Sequence, residues 1–183
     1  QKTVKKIVKA VCDTSKYLQT KGFSGVDICE DVKFITTQEL LDLYPSLTPK
    51  QREYEIVKKY KTVFIMQIGD VLSDGQPHDL RAPDYDDWAL DGDLMFYHEV
   101  LDMALEISSM GIRVDKDSLV KQIEKSGKQE RMKYAYHKMI LEDKLPLTIG
   151  GGIGQSRLCQ LLLGRAHIGE VQASYWDEAT VKD

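Results

Sequence analysis

Residues 147–164, LTIGGGIGQSRLCQLLLG, decide how the rest of the chain is read. A short apolar approach leads into Gly150, Gly151, Gly152 and Gly154, which open an apolar helix carrying one arginine, Arg157. Glycine tolerates most of dihedral space, so this cluster marks a sharp bend or a place where a ligand meets bare backbone. Leu158, Leu161, Leu162 and Leu163 supply a buried helix face. Gln155, Ser156 and Arg157 occupy the first turn, where free N–H groups and the helix dipole favour anions such as phosphate. The segment is not a P-loop, because the G-x-x-x-x-G-K-S/T spacing is missing. It also lacks the G-x-G-x-x-G run and distal acidic residue of a dinucleotide fold. Two readings stay open: a tight strand-to-helix turn with a surface arginine, or a ligand turn in which Arg157 clamps a phosphate or an aromatic ring.

Upstream, residues 62–68, TVFIMQI, are apolar throughout and predict a central strand buried on both faces. Residues 69–88, GDVLSDGQPHDLRAPDYDDW, form the longest irregular stretch, with Arg81, Asp84, Asp86 and Asp87 around two prolines. Long loops of this kind are functional or mobile. This one reads either as a solvated acidic loop or as a polar lining for an amino-acid or nucleotide ligand. Strands are expected over 94–98 and 103–109, with Asp93 opening the first and Glu106 inside the second. An unpaired buried carboxylate is costly, so Glu106 calls for a cation or a metal nearby. Two carboxylates on adjacent strands are a donor set for Mg²⁺.

Residues 110–115 read as a turn holding Arg113, and Asp115 or Asp117 as the cap of a helix reaching Gly127. A further helix is expected over 128–143, with Met132, Tyr136, Met139 and Ile140 on its core face, and a last strand over 170–176. Towards the N-terminus, Val4, Ile7, Val8, Val11 and Cys12 predict an amphipathic helix over 2–18, followed by a strand over 32–35. Thr36 with Glu39, and Thr48-Pro49 with Gln51, are capping signals for two helices, the second reaching about Tyr60. Strands and helices without regular βαβ alternation indicate an α+β fold with a mainly antiparallel sheet flanked by helices.

The chain has 183 residues, 42% hydrophobic and 30% charged, with a formal charge of −4. These values describe one soluble globular domain with no membrane span. The acidity argues against a nucleic-acid partner. Cys12, Cys29 and Cys159 show neither pairing nor zinc spacing and read as ordinary thiols of a reducing, cytoplasmic protein. His78, His98, His137 and His167 form no zinc motif. The start within a helix and without methionine suggests a fragment.

Taken together, HDLRAPDYDDW (78–88), LDGDLMFY (90–97), LEISSMGIRVD (105–115) and LPLTIGGGIGQSRL (145–158) closely resemble the ammonia-dependent asparagine synthetase A type, the aspartate–ammonia ligases. The resemblance covers nearly all of the chain but only about the C-terminal half of the family's usual length. It implies part of a single catalytic domain, over residues 1–183, like the core of class II aminoacyl-tRNA synthetases. The implied reaction is ATP-dependent adenylation of L-aspartate, then attack by free ammonia to give asparagine, AMP and pyrophosphate. By the same resemblance, Arg157, Asp86 and Arg81 are catalytic, and Asp86 and Ser109 bind the amino acid. Arg81, Asp93, Glu106, Ile107, Ser108, Arg113, Gly152 and Arg157 form the nucleotide site, with Asp93 and Glu106 on Mg²⁺. A homodimer is implied as well.

Two departures from the family stand out. Its N-terminal half is missing, so this segment alone is expected to be inactive. Only Ala89, Leu90 and Asp91 separate Trp88 from Gly92, where the family has a longer connection. That is either a shortening or, as favoured here, a mobile cover left out of the sequence near 88–91. The competing functions are a tRNA-synthetase-like paralogue with a nucleotide- or tRNA-binding regulatory role, and an interaction domain whose loop and glycines are purely structural.

Overall fold

The computed structural model describes residues 1–23 and 26–180. Among them, five strands form one sheet in chain order: β1 (Lys33–Thr36), β2 (Thr62–Met66), β3 (Asp86–His98), β4 (Met103–Arg113) and β5 (Ile149–Ile153). Only β1 and β2 run parallel, and the remaining pairs are antiparallel. A parallel pair needs a crossover, which α2 (Thr37–Leu43) and α3 (Pro49–Tyr60) provide. Each of these helices begins with a complete capping box, Thr36 with Glu39 and Thr48 with Gln51, as the sequence predicts.

The sheet is covered on both sides. On one face Phe64, Leu94, Phe96, Leu105 and Ile107 pack against Val4, Val8 and Val11 of α1 (Lys2–Thr20) and against Leu161 and Leu162 of α6 (Gln155–Leu162). On the other, Val63, Ile65 and Met95 meet Leu40 of α2 and Ile56 and Val57 of α3. The alternation of Val63, Phe64 and Ile65 between these clusters explains why β2 has no polar face. A third cluster, Val114, Leu119, Ile123 and Ile140, joins the end of β4 to α4 (Lys116–Lys125) and α5 (Ala135–Leu141). No helix among the described residues is long and apolar enough to cross a membrane.

Several expected elements are redrawn. Residues 110–113 are not a turn, because β5 pairs with β4 from Ser108↔Ile153 to Ile112↔Ile149 and keeps that stretch extended. Asp86 already belongs to β3, whose register shifts between Asp86 and Asp91. The helix expected over 128–143 splits into a 3₁₀ turn, Gln129–Lys133, and α5, separated by Tyr134 in an extended conformation. The break spoils the expected core stripe: Ile140 is buried and Met132 packs beside it, whereas Tyr136 and Met139 are exposed. Residues 170–176 form no strand. A 3₁₀ turn, Ile168–Glu170, capped by His167, is followed by irregular chain with Tyr175 94% exposed.

Gly150, Gly151 and Gly152 lie inside β5, and none of them has a positive φ. Gly150 and Gly151 serve close approach by Arg113 and Met110, not bending.

Candidate active site

Residues 69–85 are irregular, but side chains from four helices and the sheet hold them in place. Gly69 adopts φ +118°, and an added Cβ there would lie 2.7 Å from the Trp88 indole, so the ring seals the start of the segment onto its end. Gln38 of α2 exchanges two hydrogen bonds with Ser73, at 2.8 and 3.0 Å. Arg52 of α3 lies 3.8 Å from Asp74. The buried His78 ring meets Glu53 of α3 at 3.1 Å. Burial raises the Glu53 carboxyl pKa, but bonds from His78 and Lys50 outweigh it and leave the group below its ordinary value.

Next, Arg81 forms an ion pair with Asp93 of β3. Asp84 receives Arg131 at 2.9 Å and His137 at 3.0 Å. Burial opposes the charge of Asp84, yet these partners keep its pKa low. Gln122 of α4 accepts the Trp88 N–H at 2.9 Å and donates to the carbonyls of Pro83 and Asp86, each at 3.0 Å. The solvated-loop reading is therefore set aside: the carboxylates of Asp84 and Asp86 are both engaged by arginine.

This segment delivers Asp86 to a cavity of about 550 Å³ between the β3–β4–β5 part of the sheet and the start of α6. Asp86 pairs with Arg113 at the end of β4. Arg113 also donates to the Tyr85 hydroxyl at 2.9 Å and lies 3.9 Å from the centre of its ring. A side chain on Gly150 would collide with this guanidinium, so the bare backbone of β5 makes room for Arg113. At Gly152 nothing lies within 4 Å of a notional Cβ, so the strand offers open main chain at the cavity wall.

Gly154 caps α6, and its N–H donates to the Ile107 carbonyl at 2.8 Å, fixing the helix start beside β4. One turn on, Arg157 donates to the Glu106 carbonyl at 3.1 Å, with the Glu106 carboxylate 3.9 Å away. Both side chains are well exposed, at 50% and 36%, so their pair is weak and solvent-screened, leaving Arg157 available to an incoming anion. The carboxylate inside the strand pattern therefore has a cation beside it, Arg157, and is itself open to solvent.

Asp86, Glu106, Ile107, Ser108, Ser109, Arg113, Gly152 and Arg157 all line this cavity. Arg81 and Asp93 do not line it, but Asp93 is directly opposite Ser109 in the β3–β4 register. Asp93 is 3% exposed, and burial pushes its carboxyl pKa up against the pull of Arg81. Its Oδ1 has no partner, nor has the buried Ser108 hydroxyl. Asp93 Oδ1 and the Glu106 carboxylate are thus oxygen donors for a hard cation. Among the described residues no cluster of three or more metal-ligating side chains exists, so such an ion would need water or phosphate for its remaining ligands.

Sequence reasoning passed over three residues. Tyr85 stacks on Arg113 and could have been read from its place beside Asp86. Gln122 gives no sequence signal, being one polar residue on a polar helix. Asp91 is buried, accepts the Ile68 N–H at 2.8 Å, and has its pKa pushed up to about 7, chiefly by burial.

The family model described as aspartate-ammonia ligase matches residues 1–183. Among curated relatives, the aspartate–ammonia ligase of Ruminiclostridium cellulolyticum is 59% identical over 84% of this chain and 46% of its own length. That of Ligilactobacillus salivarius is 53% identical over 100% of this chain and 56% of its own. The chain spans about half the length of the curated relatives it matches.

Among solved structures, asparaginyl-tRNA synthetase of Entamoeba histolytica in complex with asparaginyl-adenylate aligns with TM-score 0.61 at 16% identity, over 91% of this chain and 42% of that one. The Pyrococcus horikoshii asparaginyl-tRNA synthetase, also complexed with asparaginyl-adenylate, gives 0.52 at 17% identity over 78% and 34%. At that identity the likeness shows a shared fold, the α+β core of class II synthetases. With the family model matched from end to end and relatives above half identity, the chain belongs to the aspartate–ammonia ligase family.

Proposed function

We propose that this chain carries the nucleotide side of an AMP-forming aspartate–ammonia ligase, and that the protein containing it makes L-asparagine from L-aspartate, ammonia and ATP. The observation that carries the reading is the single cavity in which Asp86, Arg113, Glu106 and Arg157 meet the open backbone of β5. Family membership supplies the chemistry to which this cavity is fitted.

In the first step a side-chain carboxylate oxygen of aspartate attacks the α-phosphorus of ATP. A new P–O bond forms, and the bond to the leaving pyrophosphate breaks. Charge develops on phosphoryl oxygens, where fixed cations act most strongly. Arg157, loosely held and half exposed, is the cation free to follow that charge. Arg113 is pinned by Asp86 and Tyr85 and serves as a fixed wall. In the second step the ammonia lone pair attacks the acyl carbon, the C–O bond to AMP breaks with its electrons, and the nitrogen loses a proton to become the amide. Asp86, at the cavity wall, holds the α-ammonium of aspartate or orients the ammonia.

Asp93 and Glu106 would hold Mg²⁺, which would supply positive charge against the phosphate oxygens. Arg81 keeps Asp93 in place from behind. A cytoplasmic homodimer acting on free ammonia completes the proposal.

The test is to assay the protein at its full natural length for AMP and pyrophosphate released in equal amounts with asparagine. Release that depends on tRNA, or ATP cleavage without amide formation, would refute the reading.

A further inference from the structure

We infer that Gln122, in the middle of α4 and outside the cavity, is a positioning residue that presets the acidic segment 83–88 and so fixes where Asp86 meets the amino-acid substrate. The inference rests on the proposed role of Asp86. Its geometric half stands apart from that role.

Gln122 is 5% exposed, yet all of its amide hydrogen-bonding groups are used. The oxygen accepts the N–H of Trp88, and the nitrogen donates one hydrogen to the Pro83 carbonyl and the other to that of Asp86. These three backbone groups bracket Asp86 from both sides. A buried backbone group left without a partner costs the full desolvation of that group, so one side chain holding three of them dictates the path of the segment.

The path is tight. The Asp86 carboxyl carbon would lie 2.9 Å from a Cβ on Gly111, so the carboxylate lies over bare strand and has one direction in which to reach Arg113. Gln122 itself is anchored by its neighbours on α4, Leu119 and Ile123, whose side chains belong to the third core cluster. That cluster therefore acts as a footing for a site it does not touch.

Two substitutions at this position separate holding from filling. Gln122→Glu keeps an acceptor for Trp88 but offers no donor to the two carbonyls. Gln122→Met keeps the length and satisfies none of the three. In the protein at its full natural length, both variants are expected to raise KM for aspartate by roughly tenfold or more, since small misplacements of a binding group cost that much. The KM for ATP should stay within about twofold, because Arg157 and β5 are untouched. Residues 1–183 hold two tryptophans, Trp88 and Trp176. With every tryptophan of the full-length protein other than Trp88 replaced by phenylalanine, the emission of Trp88 should shift red as its segment loosens.

Once Asp86→Asn is present, Gln122→Met should add less than about twofold to KM for aspartate, as expected for two residues acting through one another. A merely structural Gln122 would change both KM values and kcat together, and that result overturns the inference. So does a red-shifted Trp88 with an unchanged KM for aspartate. If neither variant folds, hydrogen exchange at the Trp88 amide of the unsubstituted protein decides. Protection unchanged by aspartate supports presetting, and a roughly tenfold slowing on aspartate addition overturns it. An unchanged KM for aspartate in Asp86→Asn alone refutes the role of Asp86, and the emission of Trp88 then reports separately on whether Gln122 holds the segment.

Discussion

The two walls of the cavity are built in opposite ways. The wall from residues 69–88 has almost no regular structure, yet buried or half-buried side chains of α2, α3, α4 and α5 pin it at Ser73, Asp74, His78, Asp84 and Trp88. The wall from β5 and α6 is regular, yet it lies at the edge of the sheet, with Ile149 70% exposed and Leu147 80% exposed. Regularity and rigidity are thus separate properties here. Side-chain tethers fix the irregular wall, whereas backbone pairing holds β5 and the core contacts of Leu161 and Leu162 hold α6, and the loosely paired cation Arg157 stands on this second wall.

If this division is right, the largest effect should come from Arg157→Ala in the protein at its full natural length. AMP formation is expected to fall by about 10²–10³-fold, the usual loss on removing one charge-stabilising donor. Stability should change by less than about 0.5 kcal/mol, because the side chain is half exposed. Normal turnover in that variant would show that the cation is dispensable.

On the other wall, Gly69→Ala should cost about 2–3 kcal/mol in denaturant unfolding, since φ +118° strains any side chain and Trp88 occupies the space. A neutral result would mean that the indole does not seal the segment.

Asp84→Asn is expected to cost about 1–3 kcal/mol at pH 7, from a half-buried ion pair and hydrogen bond left unmade. Its pH dependence gives a sharper check. The folded-state pKa of Asp84 lies below the ordinary value, so its contribution is full above that value and is lost as pH falls through the folded-state pKa. The gap between wild type and variant should therefore close in acid, and a gap constant down to low pH would contradict the pairing.

The smallest change should follow Glu106→Gln, which is expected to raise the Mg²⁺ concentration for half-maximal activity by roughly tenfold, leaving KM for aspartate near its original value. An unchanged magnesium response would remove Glu106 from the metal.

How much of this was legible in the sequence depends on how local each determinant is. β2 could be read because Val63, Phe64 and Ile65 are apolar in succession, and the starts of α2 and α3 because each cap closes within four residues. The extension of β4 to Arg113 was not legible, because it exists only through pairing with residues near 150. The sequence tied the glycines of β5 to a bend or to a ligand; they lie instead in extended strand, and the near neighbours of Gly150 and Gly151 are Arg113 and Met110 of this chain. What demands Gly150 is the Arg113 guanidinium, which lies 37 positions away in sequence. The break at Tyr134 and the absence of a strand over 170–176 are likewise tertiary outcomes that local alternation misrepresents. Motif resemblance gathered ten candidate residues from four separate stretches, and the structure brings eight of them, from three of those stretches, onto one lining. Resemblance gave no hint of Gln122, whose work is done entirely on backbone atoms.

The strand order β1 to β5 has a kinetic consequence. Every strand pairs with its neighbour in the chain, and the β3–β4 hairpin closes locally. The β4–β5 ladder, by contrast, must close a loop that holds α4 and α5, at an entropy cost that grows only slowly with length. The sheet can therefore zip in the direction of synthesis, and the strand that borders the phosphate-binding end is the last of the five to be laid down.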